Sequence, residues 1–244
     1  MIRLRDLVSE AREVVHQPLS APLDAQADLA RIDHQRVRPE RMVADRQISA
    51  GALHSGYPIM GHLNHGGDAV DLATLEQRGS WGIFHELGHN HQNRDWELRG
   101  TTEATVNLWS VYTMEHVVGL PARSGHSAIT ATRRAQRIDQ YIAQGRNYAS
   151  DWRVWTALET YLQLQEGFGW PFMFAVIDQY NGLTQSQRPG DEAARIEQWI
   201  TRTSSVAGVD LVPFYEAWGW PVSNAARAAT AGLPAWAGDP MRGR

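Results

Sequence analysis

The stretch from Trp81 to Gln92, which reads WGIFHELGHNHQ, contains the most informative motif of this sequence. Residues four apart on an α-helix lie on the same face, so a helix over residues 80–92 would point the imidazoles of His85 and His89 at one cation. Glu86 lies about 100° around the helix axis from His85. The spacing therefore predicts a metal-binding helix with a carboxylate beside the metal.

Zinc is the metal that this pattern favours, because two neutral imidazoles and a third protein ligand leave a fourth position for water. Zinc lowers the pKa of that water, and a neighbouring carboxylate accepts its proton as the oxygen attacks a carbonyl. Glu86 is predicted to be this general base, and one zinc ion is expected per chain. The competing interpretation is a surface helix that carries two histidines by chance, since short motifs have false positives.

The third ligand could come from one of two arrangements downstream. One zinc-peptidase motif continues with Gly three residues after the second His and with His or Asp three residues later. Here Gln92 stands at the Gly position and Asp95 at the last one. The sharp turn at that point requires the backbone freedom of Gly, so Gln92 argues against this arrangement.

The alternative is a Glu ligand from the following segment. Glu97 lies in a stretch that ends in Gly and predicts a loop, whereas Glu103 follows Thr101-Thr102, a plausible helix N-cap pair. A ligand on a helix is held better than a ligand on a loop, so Glu103 is favoured. Asn107 lies one turn further on the same face and is a candidate partner for the ligand, or else a helix-surface amide.

The rest of the chain predicts a mainly α protein with a small β portion, an α+β class. Residues 1–40 are predicted as an N-terminal amphipathic helix and an irregular lead-in around a short helix. Residues 41–244 are predicted as a single catalytic domain. Apolar pieces split by Gly and Pro predict short strands within 41–63. Helical periodicity predicts helices at 71–78, 80–92, 101–118, 129–143, 151–166, 170–180, 190–203 and 210–217.

Composition excludes several classes of function. The chain has no Cys, which rules out disulfides, thiolate zinc sites and thiol catalysis. Its net charge is −4 and it has no basic run, so it is a poor candidate for nucleic-acid binding. No apolar run approaches the roughly 18 residues of a membrane-spanning helix.

The sequence resembles the zinc peptidases related to viral enhancins and to bacterial mucin-degrading gluzincins. The similarity extends over roughly residues 40–236 and has several spaced motifs in order. They are Asp45-Arg-Gln-Ile-Ser-Ala-Gly51, His54-Ser-Gly-Tyr-Pro58, His85-Glu-Leu-Gly-His-Asn-His-Gln92, Thr102-Glu-Ala-Thr-Val-Asn107, Phe168-Gly-Trp170 and Trp218-Gly-Trp-Pro-Val-Ser223.

The resemblance implies a gluzincin-type endopeptidase with zinc held by His85, His89 and Glu103 and with Glu86 as general base. It also implies glycoprotein substrates, often mucin-like with O-glycans. Such domains usually have further strands before Asp45, so we expect front strands to be missing here. Such proteins are usually exported, which suggests a secreted or cell-surface location, although the first 17 residues lack the apolar stretch of a secretory signal.

Three further residues are candidates for substrate binding. In gluzincins an edge strand before the zinc helix pairs with the substrate backbone, and residues 59–63, beginning at Ile59, are the best candidate here. Tyr57 is a candidate for stabilising the oxyanion, although a tyrosine in a Gly-Tyr-Pro turn is more often structural. Trp96, in a polar stretch between the two ligand helices, is a candidate for stacking on a sugar ring.

Two other functions compete with an endopeptidase. One is a catalytically weak, zinc-containing module that binds glycoproteins. An intact Glu86 argues against it, because binding alone requires no general base. The other is a small-substrate zinc hydrolase such as an aminopeptidase, for which the sequence offers no acidic motif that would bind a free amine.

Overall fold

A computed structural model describes residues 19–32, 40–63, 65 and 71–244 of the chain. The predicted N-terminal helix over residues 1–17 lies outside the described residues. Three short strands precede most of the helices: β1 Met42–Asp45, β2 Leu53–His54 and β3 Ile59–His62. The helices are α1 at 19–30, α2 Leu72–Gln77, α3 Trp81–His89, α4 Thr102–His116, α5 Ala131–Ala143, α6 Val154–Asn181, α7 Glu192–Ala207, α8 Val212–Ala217 and α9 Asn224–Thr230.

The predicted fold class, mainly α with a small β portion, is confirmed. Among the described residues, no helix combines the length and the apolar character needed to cross a membrane. The chain packs as two compact units, which are described separately. The first contains the described residues up to 91 together with 109–127, and the second contains 92–108 and 128–244. The continuous helix α4 contributes to both.

The sheet of the first unit has the order β1-β3-β2, with β3 parallel to β1 and antiparallel to β2. The prediction that Ile59 begins an edge strand is therefore wrong. Ile59 is fully buried, and its backbone N–H donates to the carbonyl of Arg41 at 2.8 Å. In the described part of the chain, β1 and β2 form the sheet edges. A short apolar run predicts a strand, but its place in the sheet depends on which partners fold against it.

The core of the first unit fixes α3, the helix that carries the histidine pair. Ile83, Phe84 and Leu87 of α3 are completely buried, in a cluster that also contains Ile59 and Met114. Burying three such side chains stabilises the helix position by several kcal/mol, at roughly 1.5–3 kcal/mol for each. The apolar face of α3 is thus in the core, which leaves the histidine face half-buried.

The second unit is built around buried aromatic rings on α6, α7 and the segment before α4. The prediction of two helices, 151–166 and 170–180, agrees with α6, whose span from Val154 to Asn181 consists of two helical segments that meet at a kink. The Gly-Phe-Gly stretch is the break between them, because Gly169 has a φ of 80° and the helical path is interrupted there. The short helix α9 follows Ser223, whose hydroxyl caps it by accepting from the Ala226 N–H at 3.0 Å.

Candidate metal centre

The two histidines of α3 face each other as the spacing predicts. The Nε2 atoms of His85 and His89 are 3.1 Å apart, and the ring planes are nearly perpendicular, at 89°. Two nitrogen ligands of a tetrahedral zinc ion, each ~2.05 Å from it, lie about 3.3 Å apart. The separation of the two ring nitrogens therefore fits two ligands of one tetrahedral metal.

Glu103 completes a three-residue group with this pair. Each of the three side chains offers one ligand atom, and these atoms lie within 4.8 Å of one another. Glu103 is exposed and lies in the first turn of α4, where the neighbouring Ala104 and Val106 are buried and fix the helix. Two imidazole nitrogens and one carboxylate oxygen form the donor set of a zinc site with one open position. The residues present therefore fit a metal.

The other two candidates for the third ligand have different partners. Glu97 accepts a hydrogen bond from the hydroxyl of Thr102, the first residue of α4. Asp95 is largely buried, and its carboxylate pairs with the guanidinium of Arg188 at 3.3 Å. The structure thus groups Glu103 with the histidines and uses Glu97 and Asp95 in local contacts of the second unit.

Glu86 follows His85 directly on α3 and is half-buried. Its position one residue from a ligand sets its side chain beside the histidine face rather than on it. Such a carboxylate is suited to exchange a proton with a molecule held at the metal. Its role as general base remains a prediction.

Asn107 lies one helical turn after Glu103, and Tyr57 lies in the turn before β3. Asn107 is buried, and its side-chain amide donates to the backbone carbonyl of Glu103 at 2.7 Å. This bond supports the backbone of Glu103 rather than orienting its carboxylate. Tyr57 is half-buried and follows Gly56, whose carbonyl accepts from the Asn90 amide at 3.3 Å, so its turn contacts the C-terminal end of α3. Its proposed part in catalysis remains a prediction.

Trp96 does not fit the predicted role of stacking on a sugar. Its side chain is 1% exposed, and its ring stacks on Trp199 with centroids 5.3 Å apart. A ring covered in this way has no face to offer a ligand. The polar residues around Trp96 in the sequence suggested a surface loop. The loop instead turns the Trp96 ring into the core, because burying an aromatic surface outweighs the polarity of its neighbours.

Gln92 makes contacts that its sequence position does not predict. In the sequence this residue is notable only because it occupies a position where another motif has Gly. In the structure its side-chain amide donates to the Thr102 carbonyl and to the Thr105 hydroxyl, both at 2.7 Å. No pattern in the sequence marks these bonds, since they depend on where α4 begins.

The chain matches a known peptidase family over most of its length. A family described as peptidase M60, enhancin and enhancin-like, matches residues 3–219. The chain belongs to the peptidase M60 family. The resemblance to enhancin-like peptidases is therefore confirmed. Family membership implies a bound metal ion and supports metallopeptidase activity in general terms.

Curated relatives of this M60 chain are named as channel-associated factors rather than as peptidases. A TRPM8 channel-associated factor homolog of Xenopus laevis is 46% identical over 216 residues, which are 88% of this chain and 24% of the relative. TRPM8 channel-associated factor 2 of Homo sapiens is 47% identical over 206 residues, which are 84% of this chain and 22% of the relative. The chain thus spans less than a quarter of the length of these relatives.

Solved structures show that the M60 fold is shared with bacterial proteins. A functionally unknown conserved protein of Bacillus anthracis has a TM-score of 0.77 at 21% identity, covering 91% of this chain and 46% of that one. A metallopeptidase of Bacteroides thetaiotaomicron has a TM-score of 0.67 at 18% identity, covering 91% and 42%. IMPa of Pseudomonas aeruginosa, solved in complex with an O-glycopeptide, has a TM-score of 0.53 at 16% identity, covering 91% and 29%.

Proposed function

We propose that this chain is the catalytic domain of a zinc-dependent metalloendopeptidase that hydrolyses peptide bonds in protein substrates. The observation that carries the proposal is the grouping of His85, His89 and Glu103 within 4.8 Å, with Glu86 adjacent to the first of them. A site that only bound a metal would not require this carboxylate.

In this proposal His85, His89 and Glu103 hold the zinc ion. Bound zinc would supply a Lewis acid that polarises the substrate carbonyl and acidifies a water molecule. A carboxylate oxygen of Glu86 accepts a proton from the attacking water, whose oxygen forms the new bond to the carbonyl carbon. Glu86 then donates this proton to the amide nitrogen as the carbon–nitrogen bond breaks, which releases the amine and restores the carboxylate.

The substrate backbone needs an unpaired strand edge to dock against, and β2 is better suited than β3. Among the described strands, β2 is at the sheet edge and packs against α3, where Gly82 leaves room for Leu53: a Cβ at position 82 would lie 2.8 Å from the Leu53 Cδ1. Strand addition gives affinity through main-chain hydrogen bonds that every peptide can make. We therefore expect an extended substrate beside β2.

The substrate class that we propose is O-glycosylated, mucin-like protein. Support comes from the fold shared with IMPa, which was solved in complex with an O-glycopeptide. Because Trp96 is in the core, sugar recognition has to come from other side chains around the metal centre. Such substrates are accessible to a secreted or cell-surface protein, which is the location that we propose.

An O-glycosylated mucin incubated with the chain, with and without a zinc chelator, tests this function. Cleavage that stops with chelator and returns with zinc is expected. A Glu86→Gln variant is the matched control, because it keeps the ligands and lacks the base. Equal cleavage of a glycosylated peptide and its bare counterpart would reject glycan recognition, and no cleavage of either by zinc-loaded chain would reject the peptidase.

A second candidate is a zinc-containing module that binds a partner protein and has little catalytic activity. The names of the relatives favour it, since proteins 46–47% identical to this chain are called TRPM8 channel-associated factors. Pull-down of glycosylated protein by both wild-type and Glu86→Gln chains, without cleavage by either, would support this candidate.

A further inference from the structure

Gln92 is the third residue after the end of α3, and its side chain hydrogen-bonds to the beginning of the helix that carries Glu103. Its side-chain Nε2 carries two hydrogens, and both are used on α4: one on the Thr102 carbonyl and one on the Thr105 hydroxyl, each at 2.7 Å. These acceptors lie on either side of Glu103 in the sequence. The half-buried amide thus holds the single helical turn that carries the third metal ligand.

The Thr105 hydroxyl extends this contact into a short network of hydrogen bonds. It donates to the Thr101 carbonyl at 3.1 Å, and the Thr101 hydroxyl donates to the Leu98 carbonyl at 2.7 Å. Thr101 and Thr105 are 0% and 1% exposed. Hydrogen bonds in such a buried position fix the backbone more firmly than exposed ones, because water cannot replace them.

The chain on the other side of Gln92 is equally fixed. Only two residues separate it from His89. The first, Asn90, caps α3, and its backbone N–H donates to the Leu87 carbonyl at 3.1 Å. The second, His91, donates from its ring Nδ1 to the same carbonyl at 2.8 Å. The path from His89 to Gln92 is therefore short and hydrogen-bonded at each step.

We propose that Gln92 is a positioning residue for the metal centre, which fixes the first turn of α4 so that Glu103 is set for metal binding. The inference rests on the proposed zinc site. Outer partners of metal ligands commonly contribute 10–100-fold to metal affinity. Gln92 acts on the ligand's backbone rather than on its carboxylate, so its loss weakens zinc binding by about 10-fold, at the low end of that range.

The test is a measurement of zinc affinity by competition with a chromophoric chelator on the full chain. Gln92→Ala is expected to bind zinc about 10-fold more weakly than wild type. Gln198→Ala is the matched control, since its amide donates to the Gln187 carbonyl at 2.9 Å, away from α4. It is expected to keep wild-type affinity. The visible spectrum of the cobalt-substituted chain should change in Gln92→Ala alone, because the geometry at the metal is altered.

A second pair of variants keeps the inference testable if Gln92→Ala does not fold. Thr105→Val removes the hydroxyl that accepts from Gln92 and is expected to weaken zinc binding. Thr105→Ser retains the hydroxyl and is expected to bind zinc with wild-type affinity. Equal zinc affinity across all of these variants would overturn the positioning role, even if the metal-free melting temperature fell. A folded wild-type chain that binds no zinc would overturn the proposed function and this inference together.

Discussion

The Nε2 atoms of His85 and His89 lie 3.1 Å apart, close to the separation that one tetrahedral metal ion imposes on two nitrogen ligands. With Glu103 as third ligand, we expect metal analysis of zinc-treated, dialysed chain to find about one zinc per chain. Zinc should also raise the melting temperature, since a ligand that binds only the folded state stabilises it. A His85→Ala/His89→Ala chain serves as control. A folded chain that remains metal-free would contradict the site.

Glu103, and not Glu97, should be required for metal retention. Glu103→Ala removes a ligand and should lose zinc, whereas Glu97→Ala removes only the acceptor of the Thr102 hydroxyl and should retain it. Zinc content after dialysis distinguishes the two variants. The reverse result would assign the ligand to the segment before α4.

Glu86→Gln should separate metal binding from chemistry. The amide has almost the same shape as the carboxylate but cannot accept the proton, so zinc content and melting temperature should stay close to wild type. Loss of a general base should lower turnover about 10²–10⁴-fold. Initial rates on a cleaved glycopeptide measure this, and near-normal turnover would require a different base.

Trp96→Ala should affect stability rather than sugar recognition. The substitution leaves a cavity next to Trp199 and Tyr161, and removing a large buried aromatic side chain costs about 3–5 kcal/mol of unfolding free energy. Chemical denaturation measures the loss, and Trp96→Phe should lose less because it fills part of the space. A stable Trp96→Ala chain with a raised KM for glycopeptide alone would restore the sugar-binding role.

The features that the sequence predicted depend on local geometry. Helical spacing within residues 81–89 brings the two histidines together. As the Thr101-Thr102 pair predicted, α4 begins at Thr102, which places Glu103 in its first turn. The features that it missed depend on partners distant in the chain. Ile59 lies in a central strand because β1 and β2 pair with β3 on both sides. Trp96 is buried because α7 brings Trp199 against it.

Gln92 is a different case, because its partners are only ten and thirteen residues away. The side-chain type was visible in the sequence, but a single amide belongs to no periodic pattern that would predict its hydrogen bonds to α4. Its function follows from two distances that only the structure provides. Positioning residues of this kind escape motif analysis, because motifs describe the atoms that perform the chemistry and not those that hold them.

The helix α4 carries Glu103 in its first turn and Met114 near its end, where Met114 lies in the same core cluster as Phe84 of α3. Met114 is eleven positions after Glu103, which is roughly 16 Å along a helix axis. Because an α-helix is stiff over that length, a tilt of about 5° at Met114 would displace Glu103 by ~1.4 Å, against a tolerance of about 0.2 Å in metal–ligand distances. In the proposed zinc site, the side-chain volume around Met114 would therefore affect how precisely Glu103 could meet a metal ion.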